Sequence, residues 1–296
     1  MELNDLLRKQ AIDPAKVLVF RHSPKETELR RVLPWLAQEQ PEVFNAYQQT
    51  QGPTVQRAME RLSGDGHVAS FIGHEPGKAL FVGLYAIGTT KALTLDEYWR
   101  VPAYAEMSKF GMRGFTREDE EKRRTILWFD LQPQSFYPYW KGKLTIDWPG
   151  KELSWWRHAD RNEMAVLSIL EESALAPPMP EWDRINLTWE ELDVLPASWR
   201  QALSQWRGIY LISDASDGKG YVGSAYGADN LYGRWKDYAM RGHGGNRHLR
   251  DRDPRNFRFC ILQRVAPDLA PNEIVSIENS WKTRLNTECP HGLNGN

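Results

Sequence analysis

The sequence predicts an α+β protein of two domains. The N-terminal part reads as a mixed α/β domain with a curved or barrel-like sheet, and the C-terminal part as a small β-β-α-β-α layer. Three observations predict this. The chain has 296 residues, more than one average domain. Its composition changes at ALAPPMPEWD (174–183), where Pro177, Pro178 and Pro180 cannot continue a preceding helix. The last third alternates short β-rich runs with helical periodicity, each bounded by turn or capping residues.

The boundaries expected from these features are 1–175 for the first domain, 176–205 for a proline-containing linker with short helices, and 206–296 for the second domain. At the N-terminus, MELNDLLRKQAIDP reads as a short amphipathic helix without the apolar core of a signal peptide. KVLVFR (16–21) is a strand, and TELRRVLPWLAQEQPEVFNAYQQ is helical with a break near Pro34 or Pro41. HVASFIG (67–73) and KALFVGLYAIG (78–88) flank HEPG as a hairpin, and TILWFDL (125–131) and KGKLTIDW (141–148) are further strands. Trp99, Trp128, Trp140, Trp148, Trp155 and Trp156 make this half aromatic, and most are expected in the core because large rings bury large areas.

In the C-terminal part, Thr188 caps a short helix with Glu191 three residues on, as in a capping box. Strands 208–214 and 220–225 form a hairpin around ASDGKG, in which Asp217-Gly218 is the turn signal. A helix starts near Asn230, a third strand covers 256–265, and Pro271 opens a long final helix.

Hydrophobic residues are 41% and charged residues 26% of the chain, ordinary for a globular protein. No apolar run approaches the ~20 residues that span a bilayer, so no membrane partner and a cytoplasmic location are expected. Cys260 and Cys289 form no metal pattern and read as thiols. The net charge of −1 is uninformative, but its distribution is uneven. Nine Lys or Arg lie from Arg234 to Arg264 against three acids, Asp237, Asp251 and Asp253. Such a stretch attracts a polyanion. A solvated charged loop fits the charge count equally well.

Three placements bear on chemistry. Ile274, Val275, Ile277, Trp281 and Leu285 define the apolar face of the last helix, and Glu278 falls on it. A carboxylate there must be paired, bind a metal or sit at a cleft edge, because burying it alone is costly. Arg234 and Tyr238 are one helical turn apart on a shared face. Tyr210 and Tyr221 lie in the two hairpin strands, where strand propensity alone accounts for either.

Taken in order, Gly208-Ile209-Tyr210, Tyr221-Val222-Gly223, Arg234, Glu278 and Asn294 resemble the GIY-YIG nuclease family over residues 206–296. The resemblance implies a DNA endonuclease acting on double-stranded DNA with Mg²⁺, for which Mn²⁺ can substitute. It implies Glu278 as metal ligand, since a hard carboxylate oxygen suits Mg²⁺. It implies Arg234 as the catalytic arginine, whose planar donors match a phosphate. Tyr210 matches a proposed general base, Tyr221 a positioning residue, Tyr238 the aromatic one turn after the arginine, and Asn294 the terminal asparagine. Several relatives carry a lysine directly after the second tripeptide. Here Ser224 stands there, leaving Lys219 or Lys236 to supply the charge. Lys236, Arg241, His243, Asn246, Arg247 and Arg250 are the expected DNA contacts. The glycines of GHGGN either let backbone amides approach a phosphate or simply connect two elements.

Residues 67–160 resemble PUA-like barrels, the group that includes EVE and SRA readers of modified bases. This resemblance implies an aromatic pocket for a flipped base and a restriction or phage-defence role on base-modified DNA. A repair or recombination nuclease that reads DNA structure, and a non-catalytic nucleic-acid-binding protein, are the alternatives. A homodimer on DNA is expected if both strands are cut.

Overall fold

The computed structural model describes residues 1–73, 75–149, 154–243, 246 and 248–295. The chain forms two compact units, Met1–Pro177 and Pro178–Asn296.

In the first unit, seven strands build one mixed sheet: β1 (Val17–His22), β2 (His67–Gly73), β3 (Lys78–Leu93), β4 (Ile126–Gln134), β5 (Leu144–Asp147), β6 (Trp156–His158) and β7 (Val166–Ile169). Their order is β6-β1-β2-β3-β5-β7, with β4 also paired to β3. Only β1 and β2 run parallel among these pairs. β1 is buried at every position, as a strand covered on both faces must be. Val17 and Val19 enter one core, and Leu18 and Phe20 the other. Register shifts at Ser70/Phe71 and Ile87/Thr90 bend the long β3, and bulges of this kind curve a sheet. The sheet is therefore curled, as expected, but no pairing among the described residues joins β6 to β7 into a closed barrel.

Among the described residues, seven α-helices accompany this sheet: α1 (Leu3–Lys9), α2 (Thr27–Glu39), α3 (Pro41–Gln49), α4 (Pro53–Glu60), α5 (Leu95–Trp99), α6 (Pro102–Ser108) and α7 (Arg117–Arg123). α2 runs through Pro34 and stops at Gln40, so the break falls at Pro41 alone. An interior proline costs ~3 kcal/mol. Burial of Leu29, Val32, Leu33, Leu36 and Ala37 on this helix offsets it. Most of the six tryptophans join the cores, as expected: Trp148 is buried in one, and Trp140, Trp155 and Trp156 pack half-buried against one or the other. Trp128 is half-buried outside these clusters, and Trp99 is 36% exposed.

The second unit carries β8 (Asn186–Thr188), α8 (Trp189–Asp193), α9 (Ala197–Gln205), β9 (Gly208–Asp214), β10 (Gly220–Ala225), α10 (Asn230–Arg241), β11 (Phe257–Arg264) and α11 (Pro271–Leu285). The sheet is antiparallel in the order β10-β9-β11-β8. β8 extends the β-β-α-β-α layer by one edge strand. The capping box at Thr188 and Glu191 is formed. Leu187, Leu192, Trp199 and Leu203, in the stretch read from sequence as linker, share one core with Tyr210, Trp235 and Phe259.

Strand alternation separates the two faces of this sheet. Tyr210, Ile212 and Ala225 pack on the α10 side with Leu231, Trp235 and Tyr238. Ile209 and Val222 pack on the α11 side with Ile274, Ile277 and Trp281. Val275 and Leu285 are exposed, so the buried face of α11 is narrower than its apolar spacing suggests. Cys260 and Cys289 are free thiols. No helix among the described residues is long and apolar enough to cross a membrane.

Candidate active site

The site begins with cross-strand register. Gly223 stands opposite Tyr210, and Tyr221 lies two residues before it, so both tyrosines project from the same face of the hairpin. Their ring centroids are 6.5 Å apart. Tyr238 of α10 completes the cluster, 6.1 Å from Tyr210 and 5.8 Å from Tyr221. The Tyr210 hydroxyl donates to that of Tyr238 over 3.3 Å.

The two tripeptide glycines have separate reasons. A Cβ on Gly208 would stand 2.6 Å from the Gln263 carbonyl oxygen, so β11 can approach only a glycine there. A Cβ on Gly223 would stand 2.6 Å from Tyr210 Cζ. The second glycine thus leaves the space that the first tyrosine fills. Gly223→Ala is expected to cost ~1–3 kcal/mol of stability by overpacking, measured as a lower thermal midpoint. An unchanged midpoint would show that Tyr210 has another place to rest.

Arg234 reaches this cluster from α10. Its guanidinium lies 5.7 Å from the Tyr238 ring centroid, and its charge counters part of the rise that burial imposes on the Tyr210 phenol. Glu278 comes from α11, on the opposite face, but arrives beside the edge strand β10. Ser224 of β10 donates to Glu278 Oε2. Lys282, one turn further along α11, pairs with Glu278 Oε1 at 2.6 Å. Tyr221, Ser224, Tyr226, Arg234 and Glu278 line one open cavity of about 360 Å³ at this edge.

Burial dominates the electrostatics of the phenols. It is the leading cause that pushes Tyr210, Tyr221 and Tyr238 above the ordinary tyrosine range. For Tyr221, the neighbouring Tyr238 and the Glu278 carboxylate add to the rise. All three are neutral donors at physiological pH. Tyr210 is completely buried and lies behind the cavity wall, whereas Tyr221 forms part of that wall.

Asn294 stands elsewhere. It is buried, its Oδ1 accepts from the Val222 amide at 2.9 Å, and its Nδ2 donates to the Val222 carbonyl at 2.8 Å. Its side chain therefore satisfies the outer edge of β10, as another strand would. It is a clamp on the second tripeptide and does not line the cavity.

The described members of the expected DNA-contact set sit in different local settings. Lys236 lies about 200° around α10 from Arg234 at 3.6 residues per turn, and its ammonium lies 5.9 Å from the Tyr232 ring. Arg241 is exposed but paired with Asp237 at 2.9 Å. Asn246 has a structural role, donating to the Leu293 carbonyl and accepting from the His248 amide. His243 is half-buried, and Arg250 is exposed. Arg247 lies outside the described residues. Within the basic stretch, Arg252 binds Asp214 and, with two donors, Asp217, while Arg255 pairs with Asp253. Arg264 stacks on Trp206 at 4.1 Å. The hairpin acids Asp214 and Asp217 lie outside the segment whose charges were counted, so the free positive charge is smaller than that count.

Ser224, Tyr226 and Lys282 are additions to the sequence reading. The first and last carried signals: Ser224 directly follows the tripeptide, and Lys282 is four residues after Glu278. Lys219 donates to the Pro290 carbonyl, so neither it nor Lys236 lines the cavity. The lysine beside the carboxylate is Lys282.

Hard oxygens from Glu278 and Ser224 face the cavity, a donor set that fits Mg²⁺ or Mn²⁺, which take few protein ligands and keep several waters. Among the described residues no group of three His, Cys, Asp or Glu could hold a metal ion.

No protein-family model and no curated protein matches the chain. Among solved structures, the chain is similar to the catalytic domain of the homing endonuclease I-TevI. The similarity covers 30% of this chain and 96% of that one, at 27% identity and a TM-score of 0.25.

Proposed function

We propose that the chain is a Mg²⁺-dependent DNA endonuclease whose second unit hydrolyses the phosphodiester. The observation that carries this reading is the convergence of Tyr221, Arg234 and Glu278 on one solvent-connected cavity, with Tyr210 and Tyr238 packed behind it. Arg234 would hold the non-bridging oxygens of the scissile phosphate and stabilise charge that grows on them. Tyr221, a neutral phenol, would donate to the phosphate or orient the attacking water. Tyr210 acts through Tyr238 and Arg234, since burial keeps it from water and disfavours its phenolate. Glu278, with Ser224, would hold the metal. Bound Mg²⁺ would supply charge neutralisation and a more acidic water at the phosphate. Lys282 must leave Glu278 Oε1 for that oxygen to serve as a ligand, and can then face the phosphate.

In this reading the first unit selects the target, and a restriction or phage-defence role on base-modified DNA follows. Two copies on DNA would cut both strands. The test is incubation of plasmid DNA, phage DNA and RNA with the full chain in Mg²⁺, in Mn²⁺ and in EDTA. Metal-dependent cleavage of DNA, absent in EDTA, is expected. No metal-dependent cleavage of any substrate would leave a nucleic-acid-binding protein instead.

A further inference from the structure

Where β3 changes partner, the sheet of the first unit forks. β4 pairs with β3 from Leu84 to Leu93, and β5 pairs with it from Lys78 to Leu80. Between these stretches, Phe81, Val82 and Gly83 have no strand partner on that side among the described residues. A cavity of about 290 Å³ opens at the fork, close to the lower end of the ~300–1,000 Å³ range of small-molecule sites. Phe81, Leu84 and Phe136 give it an apolar floor. The Phe81 and Phe136 rings meet edge to face with centroids 5.9 Å apart, which holds both in place.

A single ammonium enters this apolar setting. Lys141 lines the cavity and is half-buried. Burial lowers its ammonium below the ordinary lysine range, and no neighbouring charge among the described residues counters this. Glu42, the carboxylate of the lining, is exposed at the start of α3. Asn45 has spent its polar atoms, donating to the Leu131 carbonyl and accepting from Gln48. A partly desolvated cation without an anion is unfavourable. Bare phosphate or sulfate would meet the charge and leave the apolar floor in water. A neutral apolar ligand would cover the floor and strand the charge. A carboxylate that carries an apolar body satisfies both.

We infer that this cavity binds an apolar or aromatic monocarboxylate, with the carboxylate on Lys141 and the body on Phe81, Leu84 and Phe136. A free small acid and the C-terminal residue of a peptide present the same group, and the experiment separates these sources. The competing role for Lys141 is to lay its stem on the apolar wall and hold its ammonium in water. The cavity would then not distinguish an acid from its amide. Every lining residue belongs to the first unit, so binding needs no metal and no cleavage step.

The experiment titrates the full chain in EDTA at neutral pH with phenylacetate, indole-3-acetate, hexanoate and an acetylated tripeptide ending in phenylalanine. Each acid is measured beside its amide by ligand-observed NMR. At least one acid is expected to bind about ten-fold or more tighter than its amide, the scale of a hydrogen bond to a charged group. Lys141→Met keeps the stem and removes the charge. In this variant the acid should fall to the affinity of its amide, and the amide should bind as it does to wild type. The thermal midpoint without ligand should be unchanged or higher, because a desolvated charge is gone. A free acid that binds tighter than the peptide assigns the site to a small molecule, and the reverse assigns it to a chain end; either supports the site. Acids that bind no better than their amides, no binding by any ligand, or a preference that survives Lys141→Met would overturn it. Failure here leaves Mg²⁺-dependent cleavage untouched, and absence of cleavage leaves this binding untouched, so the two readings fail separately.

Discussion

Glu278→Gln is expected to abolish metal-dependent cleavage while leaving the fold and DNA binding intact. The amide keeps the shape of the side chain and can still accept from Ser224. It removes the negative charge that a divalent ion requires. A phosphoryl transition state without its metal loses several kcal/mol of charge stabilisation. At ~1.4 kcal/mol per decade this is a fall of ~10³-fold or more. Lys282 loses its ion-pair partner in the variant, but both side chains keep some access to water, 15% for Glu278 and 19% for Lys282. Little stability should follow the charge. Supercoiled-plasmid nicking over a Mg²⁺ titration is the measurement, with thermal midpoint and DNA affinity as controls. Cleavage by the variant at the wild-type rate in Mg²⁺ would remove Glu278 as the metal ligand.

Arg234→Ala is expected to lower the single-turnover rate by ~10³-fold or more, the scale on which an arginine that contacts a transferring phosphoryl group contributes. Arg234→Lys separates charge from geometry. Lysine retains the charge but loses the planar fork whose donors match a phosphate's oxygens. Recovery by lysine should therefore be partial. Because Arg234 lies on an exposed part of α10, and Trp235 and Tyr238 anchor that helix in the core, neither variant should unfold the unit. Alanine cleaving within a few-fold of wild type would place the phosphate elsewhere in the cavity.

The second unit was the more legible half because its signals are local. The Asp217-Gly218 turn set the hairpin, Pro271 set the start of α11, and Thr188 with Glu191 set a cap. The first unit depends on long-range pairing. The parallel contact of β1 with β2 joins residues about fifty apart in sequence, and no local pattern announces it. Pro34 shows the same limit from the other side, since tertiary burial kept a helix that propensity would break. At the site, the members were legible and their roles less so. Tyr210 packs with Tyr221 and Tyr238, but only burial and hydrogen bonding show it behind the cavity wall and Asn294 apart from it on the β10 edge. Lys282 became meaningful once Glu278 was seen to reach around an edge strand from the far face. The positive charge of 234–264 was overstated because acids from another part of the chain neutralise part of it.

The contact of Gly223 with the Tyr210 ring has an evolutionary consequence. Two positions thirteen residues apart compete for one volume, so neither is free to change while the other stays. An added methyl at 223 is harmful only in the presence of a large ring at 210, and a smaller residue at 210 leaves a void that only a bulkier 223 can fill. The two tripeptides should therefore change as a single steric unit interrupted by a turn, and lineages that alter one half should carry a matching change in the other.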